Sequence, residues 1–293
     1  TDETVPDPIA SVARLMKEVS AVTGKDEEVN LPSGLVFTDL AEHSLVDDLS
    51  GEALDGHLVT LAKHEEITEI YRRSVWTEAP VEDCIMDTGK PPIPVRWVVA
   101  NKGDALHPNV RCRLVAKHLA AKYGGKDMED LFAAMPPFEM VKALLVKAAR
   151  KRKAQTQKRK IRKMTFIDVS KAHLYAPAGP DDQSYVCLPP ACGKPGICGK
   201  LQYWLYGMRP ASHGWQEEYT RQLEKLGFVV GTASPCCFIR KEDDVSCVVH
   251  GDDFTFEGPV DALEEVAEGL RKVWLIKVRA MLGPEPEDDK EVS

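Results

Sequence analysis

Two aspartates, Asp252 and Asp253, stand side by side between the apolar runs VSCVVHG (245–251) and FTFEG (254–258). No other feature restricts the fold as tightly. Adjacent carboxylates at the tight turn of an apolar hairpin repel each other and lose hydration, so a chain tolerates them poorly without a cation. A further aspartate, Asp168, ends the short apolar strand MTFIDV (164–169). A third carboxylate delivered from a neighbouring strand completes a site for two divalent ions. Ions about 3.5–4 Å apart activate the attacking oxygen and stabilise the leaving one in phosphoryl transfer. Oxygen-only ligation favours magnesium or manganese over zinc. Spacing alone also allows a plainer reading, in which Asp-Asp caps an exposed turn.

The charge pattern narrows the partners. The formal net charge of −8 argues against a polyanion until it is resolved along the chain. Residues 1–90 hold 20 acidic and 7 basic side chains, a balance of −13, whereas residues 91–280 hold 21 acidic and 30 basic, a balance of +9. The last thirteen residues return to −4, with 5 acidic and 1 basic. A basic body between acidic ends fits a polyanion-binding domain with solubilising extensions, and chance clustering on solvated faces is the alternative. The body includes RKRKAQTQKRKIRK (150–163), with nine basic residues in fourteen. Its Arg150, Lys151, Arg152, Lys153, Lys158, Arg159 and Lys160 are candidates for gripping phosphates with salt-dependent, sequence-independent affinity. A nuclear-localisation patch and a solvated insertion are the competing readings.

Eight cysteines lack both a disulfide framework and the paired CxxC spacing of a zinc site, and read as reduced thiols. There is no run of about 18 apolar residues and no basic-then-apolar leader, so the expectation is an intracellular protein, cytoplasmic or nuclear or both, without a membrane partner.

Charge and a change of texture at Pro91 set an acidic, partly helical extension (1–90) apart from the main body (91–283) and its acidic tail (284–293). In the extension, Asp7-Pro8 starts a helix with Ile9, Val12, Leu15, Met16 and Val19 at helical spacing. A second amphipathic helix is expected from about Leu58 to Tyr71. VRWVVANK (95–102) and VRCRLVAK (110–117) form a β-hairpin. A helix from about Pro137 to Arg150 groups Met140, Val141, Leu144, Leu145 and Ala148 on one face. Trp215, Tyr219, Leu223 and Leu226 mark a helix closed by Gly227, CCFIRK (236–241) and VSCVVHG make a hairpin, and a last helix covers 260–272. Trp204 and Trp215 read as core. The fold class is α+β, an antiparallel sheet backed by helices.

In this order the pieces resemble the reverse transcriptase domain of copia-type retrotransposons, whose catalytic box is YVDD. RCRLVAKH (111–118) is similar to KARLVAKG, DMEDLFAAMPP (127–137) to DYEETFAPV, and FIDVSKAHL (166–174) to QLDVKTAFL. SYVCLPP (184–190) resembles VYMEQPPGF, LYGMRPASHGW (205–215) resembles LYGLKQAPRAW, and LEKLGFVVGTASPCCFIRK (223–241) resembles LLKLGFKRSESDPCLFVRK. VVHGDDFTFEG (248–258) occupies the place of LVYVDDLLITG.

The resemblance implies fingers and palm, with Asp168 as the first metal-binding aspartate and Asp252 and Asp253 as the catalytic pair. Asp168 and Asp252 would bridge two Mg²⁺ (or Mn²⁺) ions, with Asp253 close behind. It implies that Arg111 and Arg113, on one face of a fingers strand, and Lys102 on the partner strand contact the incoming triphosphate, a pairing that suits basic side chains. A solvated basic face is the alternative for these three. It also implies an RNA or DNA primer–template, dNTPs and the other parts of a retrotransposon polyprotein as partners. The departures are His250 and Gly251 before the aspartates, a glycine there being familiar from viral RNA polymerases. His173 stands where the family has Phe or Tyr under the sugar. Pro210 replaces the Gln beside template and nucleotide. They fit a divergent branch or a decaying copy that binds nucleic acid without polymerising. A nucleotidyl transferase of another specificity is the third reading.

Overall fold

The computed structural model describes residues 46–104, 106–118, 133–149, 161–179 and 182–292. The expected helix at 7–19, most of the DMEDLFAAMPP motif and residues 150–160 of the basic run lie outside them. The chain forms two compact units, one from residues 1–117 and 180–202, the other from 118–179 and 203–293. The units therefore interleave in sequence, where the sequence reading drew its divisions at 90 and 283.

The first unit begins with α1 (Gly56–Arg72), whose N-terminus is capped by Asp55, its side chain accepting from the N–H groups of His57 and Leu58. Val59 and Ala62 of α1 pack against Val99 and Cys112 of a two-stranded antiparallel ribbon, β2 (Val95–Asn101) and β3 (Val110–Ala116). The outer edge of β2 is covered by two aspartates. Asp47 Oδ2 accepts from Asn101 N at 2.7 Å and Asp48 Oδ2 from Val99 N at 2.7 Å. Side-chain carboxylates here take the place of a neighbouring strand. A second sheet, ordered β1–β6–β5, joins β1 (Trp76–Pro80) to β6 (Ile197–Leu201) and β5 (Tyr185–Cys187), all antiparallel. Helix α2 (Val81–Thr88) covers it, with Cys84 against Tyr185 and Cys198. All eight cysteines are free thiols.

The second unit is built on a six-stranded antiparallel sheet in the order β11–β4–β10–β9–β8–β7. Its strands are β4 (Arg162–Val169), β7 (Val229–Val230), β8 (Cys237–Arg240), β9 (Val245–His250), β10 (Asp253–Pro259) and β11 (Ile276–Leu282). Side chains along β4 and β10 point to opposite faces in turn, and apolar residues on both faces are covered. On one, Phe254 lies against Trp215 and Tyr219 of α4 (Ala211–Lys225) and against Trp274, while α5 (Val260–Arg271) contributes buried Leu263, Val266 and Leu270. On the other, Met164, Phe166 and Val248 pack under α3 (Phe138–Ala149) through Met140, Val141, Leu144 and Ala148. Leu145 does not share that face as the spacing suggested: it is 46% exposed, because one residue beyond Leu144 turns about 100° around the helix axis.

Helix α4 ends as the glycine predicts. Gly227 has φ +85°, its N–H reaches Glu224 O, and Phe228 N reaches Leu223 O, the two bonds of a Schellman motif. A buried ion cluster ties the far end of the β4–β10 pair. The carboxylate of Glu257 is fully enclosed and accepts two 2.7 Å bonds from Arg162, and Lys147 of α3 stands 3.2 Å away. Lys147 also reaches Asp244 Oδ1 at 2.9 Å, and Arg162 the Asp244 carbonyl at 2.8 Å.

Candidate active site

The other end of the same strand pair carries the aspartates. Asp253, first residue of β10, pairs directly with Asp168 of β4 and, on its other side, with His250 of β9. That register leaves Gly251 and Asp252 as a two-residue hairpin loop. Gly251 has φ +66°, and no positive φ occurs at Asp252. A positive φ at the first loop position alone is the pattern of a type II′ hairpin turn, which calls for glycine there. The Gly that departs from the YVDD pattern is thus a requirement of this turn.

Two bonds hold the turn in place. The indole Nε1 of Trp215 donates to the Gly251 carbonyl at 2.8 Å, and Val169 N donates to the Asp252 carbonyl at 2.9 Å. The first fastens the turn to α4, the second to the end of β4. Trp215 is buried as expected, and it also has this polar task.

Arg279 faces the carboxylates. Its guanidinium donates to Asp168 Oδ1 at 2.7 Å and lies 3.5 Å from Asp253 Oδ1. Burial pushes the Asp253 carboxyl above its ordinary range, Arg279 opposes that rise, and the charges of Asp252 and Asp168 add to it. Among the described residues no three His, Cys, Asp or Glu side chains form a ready metal cage. The donor chemistry does fit a hard divalent ion: carboxylate oxygens from two strands converge on one cationic group and repel each other when it is discounted.

The other sequence candidates are distributed as follows. Arg111 and Arg113 are exposed on one face of β3, while Cys112 and Leu114 between and beyond them are buried. Lys102 follows β2 and its N–H bonds Asn109 O at 2.8 Å. These three belong to the first unit, the aspartates to the second. His173 lies in a 3₁₀ turn (Ala172–Tyr175), its ring edge-on to Tyr206 at 5.0 Å. Pro210 is the N-cap of α4, its carbonyl accepting from Gly214 N at 2.9 Å. A missing N–H costs nothing at a helix start, which accounts for proline there. Arg150, Lys151, Arg152, Lys153, Lys158, Arg159 and Lys160 lie outside the described residues.

Arg279 is not singled out by motif or composition. Its signal is the alternation IKVRAML (276–282), a strand pattern with Lys277 and Arg279 on one face.

Comparison with known proteins identifies the family. The family model described as reverse transcriptase (RNA-dependent DNA polymerase) matches residues 84–282. The chain belongs to that family. The matched span contains every motif on which the sequence resemblance rests. Among solved structures, the chain is similar to one described as the foamy viral protease-reverse transcriptase dRH in complex with ds DNA, with 11% identity and a TM-score of 0.44. The similarity covers 97% of this chain and 42% of that one, so this chain spans less than half its length. No curated protein matches. Among the described residues no helix is long and apolar enough to cross a membrane.

Proposed function

We propose that residues 91–283 are the fingers and palm of a copia-type retrotransposon reverse transcriptase. The reaction is templated addition of deoxynucleotides to a primer 3′-hydroxyl with release of pyrophosphate. The observation that carries this reading is the in-register pair Asp168–Asp253, with Asp252 in the turn beside it, at the open end of an antiparallel sheet in a chain of this family. Asp168, Asp252 and Asp253 would hold two Mg²⁺ (or Mn²⁺) ions, which when bound supply activation of the attacking oxygen and charge stabilisation at the leaving one.

The protein's own groups do the rest by positioning and electrostatics. The Trp215 and Val169 bonds fix the turn, so the carboxylates meet their load without rearranging the backbone. Lys102, Arg111 and Arg113 pair with the triphosphate, His173 lies beside the sugar, and Pro210 borders the template. The basic run 150–163 holds the primer–template backbone with affinity that falls as salt rises. The protein works inside the cell beside the other parts of a polyprotein.

A second reading is a catalytically inactive copy that only binds nucleic acid. It is favoured by Arg279 on the carboxylates and by His173 and Pro210. Primer extension on an RNA template, with Mg²⁺ and Mn²⁺ in parallel, separates the two. Metal-dependent extension that Asp252→Asn abolishes while primer–template binding persists supports the polymerase. Extension retained in Asp252→Asn refutes the site. Salt-sensitive binding without extension in the wild type selects the inactive copy.

A further inference from the structure

We infer that Arg279 is a built-in counter-ion of the carboxylate pair and competes with a divalent cation for it. This rests on the two-metal reading of Asp168, Asp252 and Asp253. The backbone delivers Arg279 by a specific irregularity. Val278 of β11 pairs with Ile167 and Ala280 with Phe166, so Arg279 is an extra residue at a bulge, without a partner of its own on β4. Bulges re-aim side chains and recur next to active sites. Here the side chain turns along the face of β4 that carries Asp168 and spans from it to Asp253.

Three carboxylates gather at this sheet end, and two of them, Asp168 and Asp253, are half-buried. Without compensation they would repel each other across paired strands. Arg279 supplies that compensation in the metal-free protein. The guanidinium and a cation would both draw on the Asp168 carboxylate, whose Oδ1 already accepts from Arg279 at 2.7 Å. Entry of the cation therefore means release of the arginine. The pair is accessible to such exchange, since the side chains of Arg279 and Asp253 are 39% and 48% exposed. Arg279 is thus a positioning residue that sets the affinity and entry of the ions.

The test is Mn²⁺ binding to the full chain without nucleic acid, read by the electron paramagnetic resonance signal of the free ion. Wild type, Arg279→Gln, Arg279→Lys and Asp252→Asn are compared. Arg279→Gln should bind roughly two- to fivefold more tightly, the factor an exposed ion pair contributes when it must be surrendered. Arg279→Lys should stay near wild type, because it keeps the competing charge. If Arg279→Gln unfolds the strand edge, Arg279→Thr carries the same expectation with a better strand former. Equal Mn²⁺ affinity in wild type and Arg279→Gln, with binding lost in Asp252→Asn, overturns the competition and leaves the metal site standing. Absence of Asp252-dependent Mn²⁺ binding in both wild type and Arg279→Gln overturns the metal site and the inference together.

Discussion

Replacing Glu257 with leucine isolates what the buried ion cluster contributes. The carboxylate is fully enclosed, and the Arg162 side chain that binds it through two 2.7 Å bonds is only 15% exposed. Removing one member of such a pair leaves a buried charge uncompensated, which costs about 3–5 kcal/mol. Arg162 keeps the Asp244 carbonyl at 2.8 Å and its carboxylate at 3.3 Å, so the lower end applies. A loss of about 3 kcal/mol corresponds to a fall of roughly 6–12 °C in melting temperature for a body of this size. The assay is urea unfolding followed by tryptophan fluorescence, with the midpoint shifting and the slope constant. The double variant Glu257→Leu with Arg162→Leu removes both charges and should recover at least half of the loss, because an apolar pair of similar volume is often neutral or better. A double variant as unstable as the sum of the singles would refute the reasoning, as would a single variant within about 1 kcal/mol of wild type.

Two further expectations concern the helix and the strand edge. A Cβ at Gly214 would stand 2.6 Å from Trp204 Cδ1 and Nε1, so Gly214→Ala sets an overpacking cost of about 1–3 kcal/mol against a helix-propensity gain of about 1. Thermal melting should show a net loss, and stabilisation would contradict the close approach. The N–H groups of Asn101, Leu49 and Ser50 hold the Asp47 carboxyl below its usual range. A depressed folded value means that this stability is present above the unfolded value and is lost as pH falls through the folded one. The melting difference between wild type and Asp47→Asn should therefore close below about pH 4. A difference that persists or widens in acid would show that the carboxylate charge is not what matters.

Much of this was legible because its signals are local. Runs rich in β-forming apolar residues marked β2, β3, β4 and the β8–β9 hairpin, and helical spacing with Gly227 marked α4. Carboxylates in apolar runs stood out at Asp168, Asp252 and Asp253, since burial makes such residues conspicuous. What escaped depends on pairing between distant residues. Trp76–Pro80 becomes a strand by pairing with Ile197–Leu201, and a five-residue run carries little of that partner's pattern. Arg279 matters only through a bulge, and Asp47 and Asp48 only through the strand edge they reach, neither of which spacing reveals. The Gly251 departure, familiar from viral RNA polymerases, gains a conformational reason only from the hairpin turn.

The edge cover by Asp47 and Asp48 also bears on where this chain can be cut. The family match starts at residue 84, which invites a shorter expression fragment beginning there. Such a fragment would discard both aspartates and the whole of α1. It would bare the amides of Val99 and Asn101 together with the apolar underside of the ribbon at Val99 and Cys112. An unguarded strand edge above an uncovered apolar face is a template for self-association. Solubility, rather than motif content, therefore sets the N-terminal limit of a workable fragment, at or before residue 46.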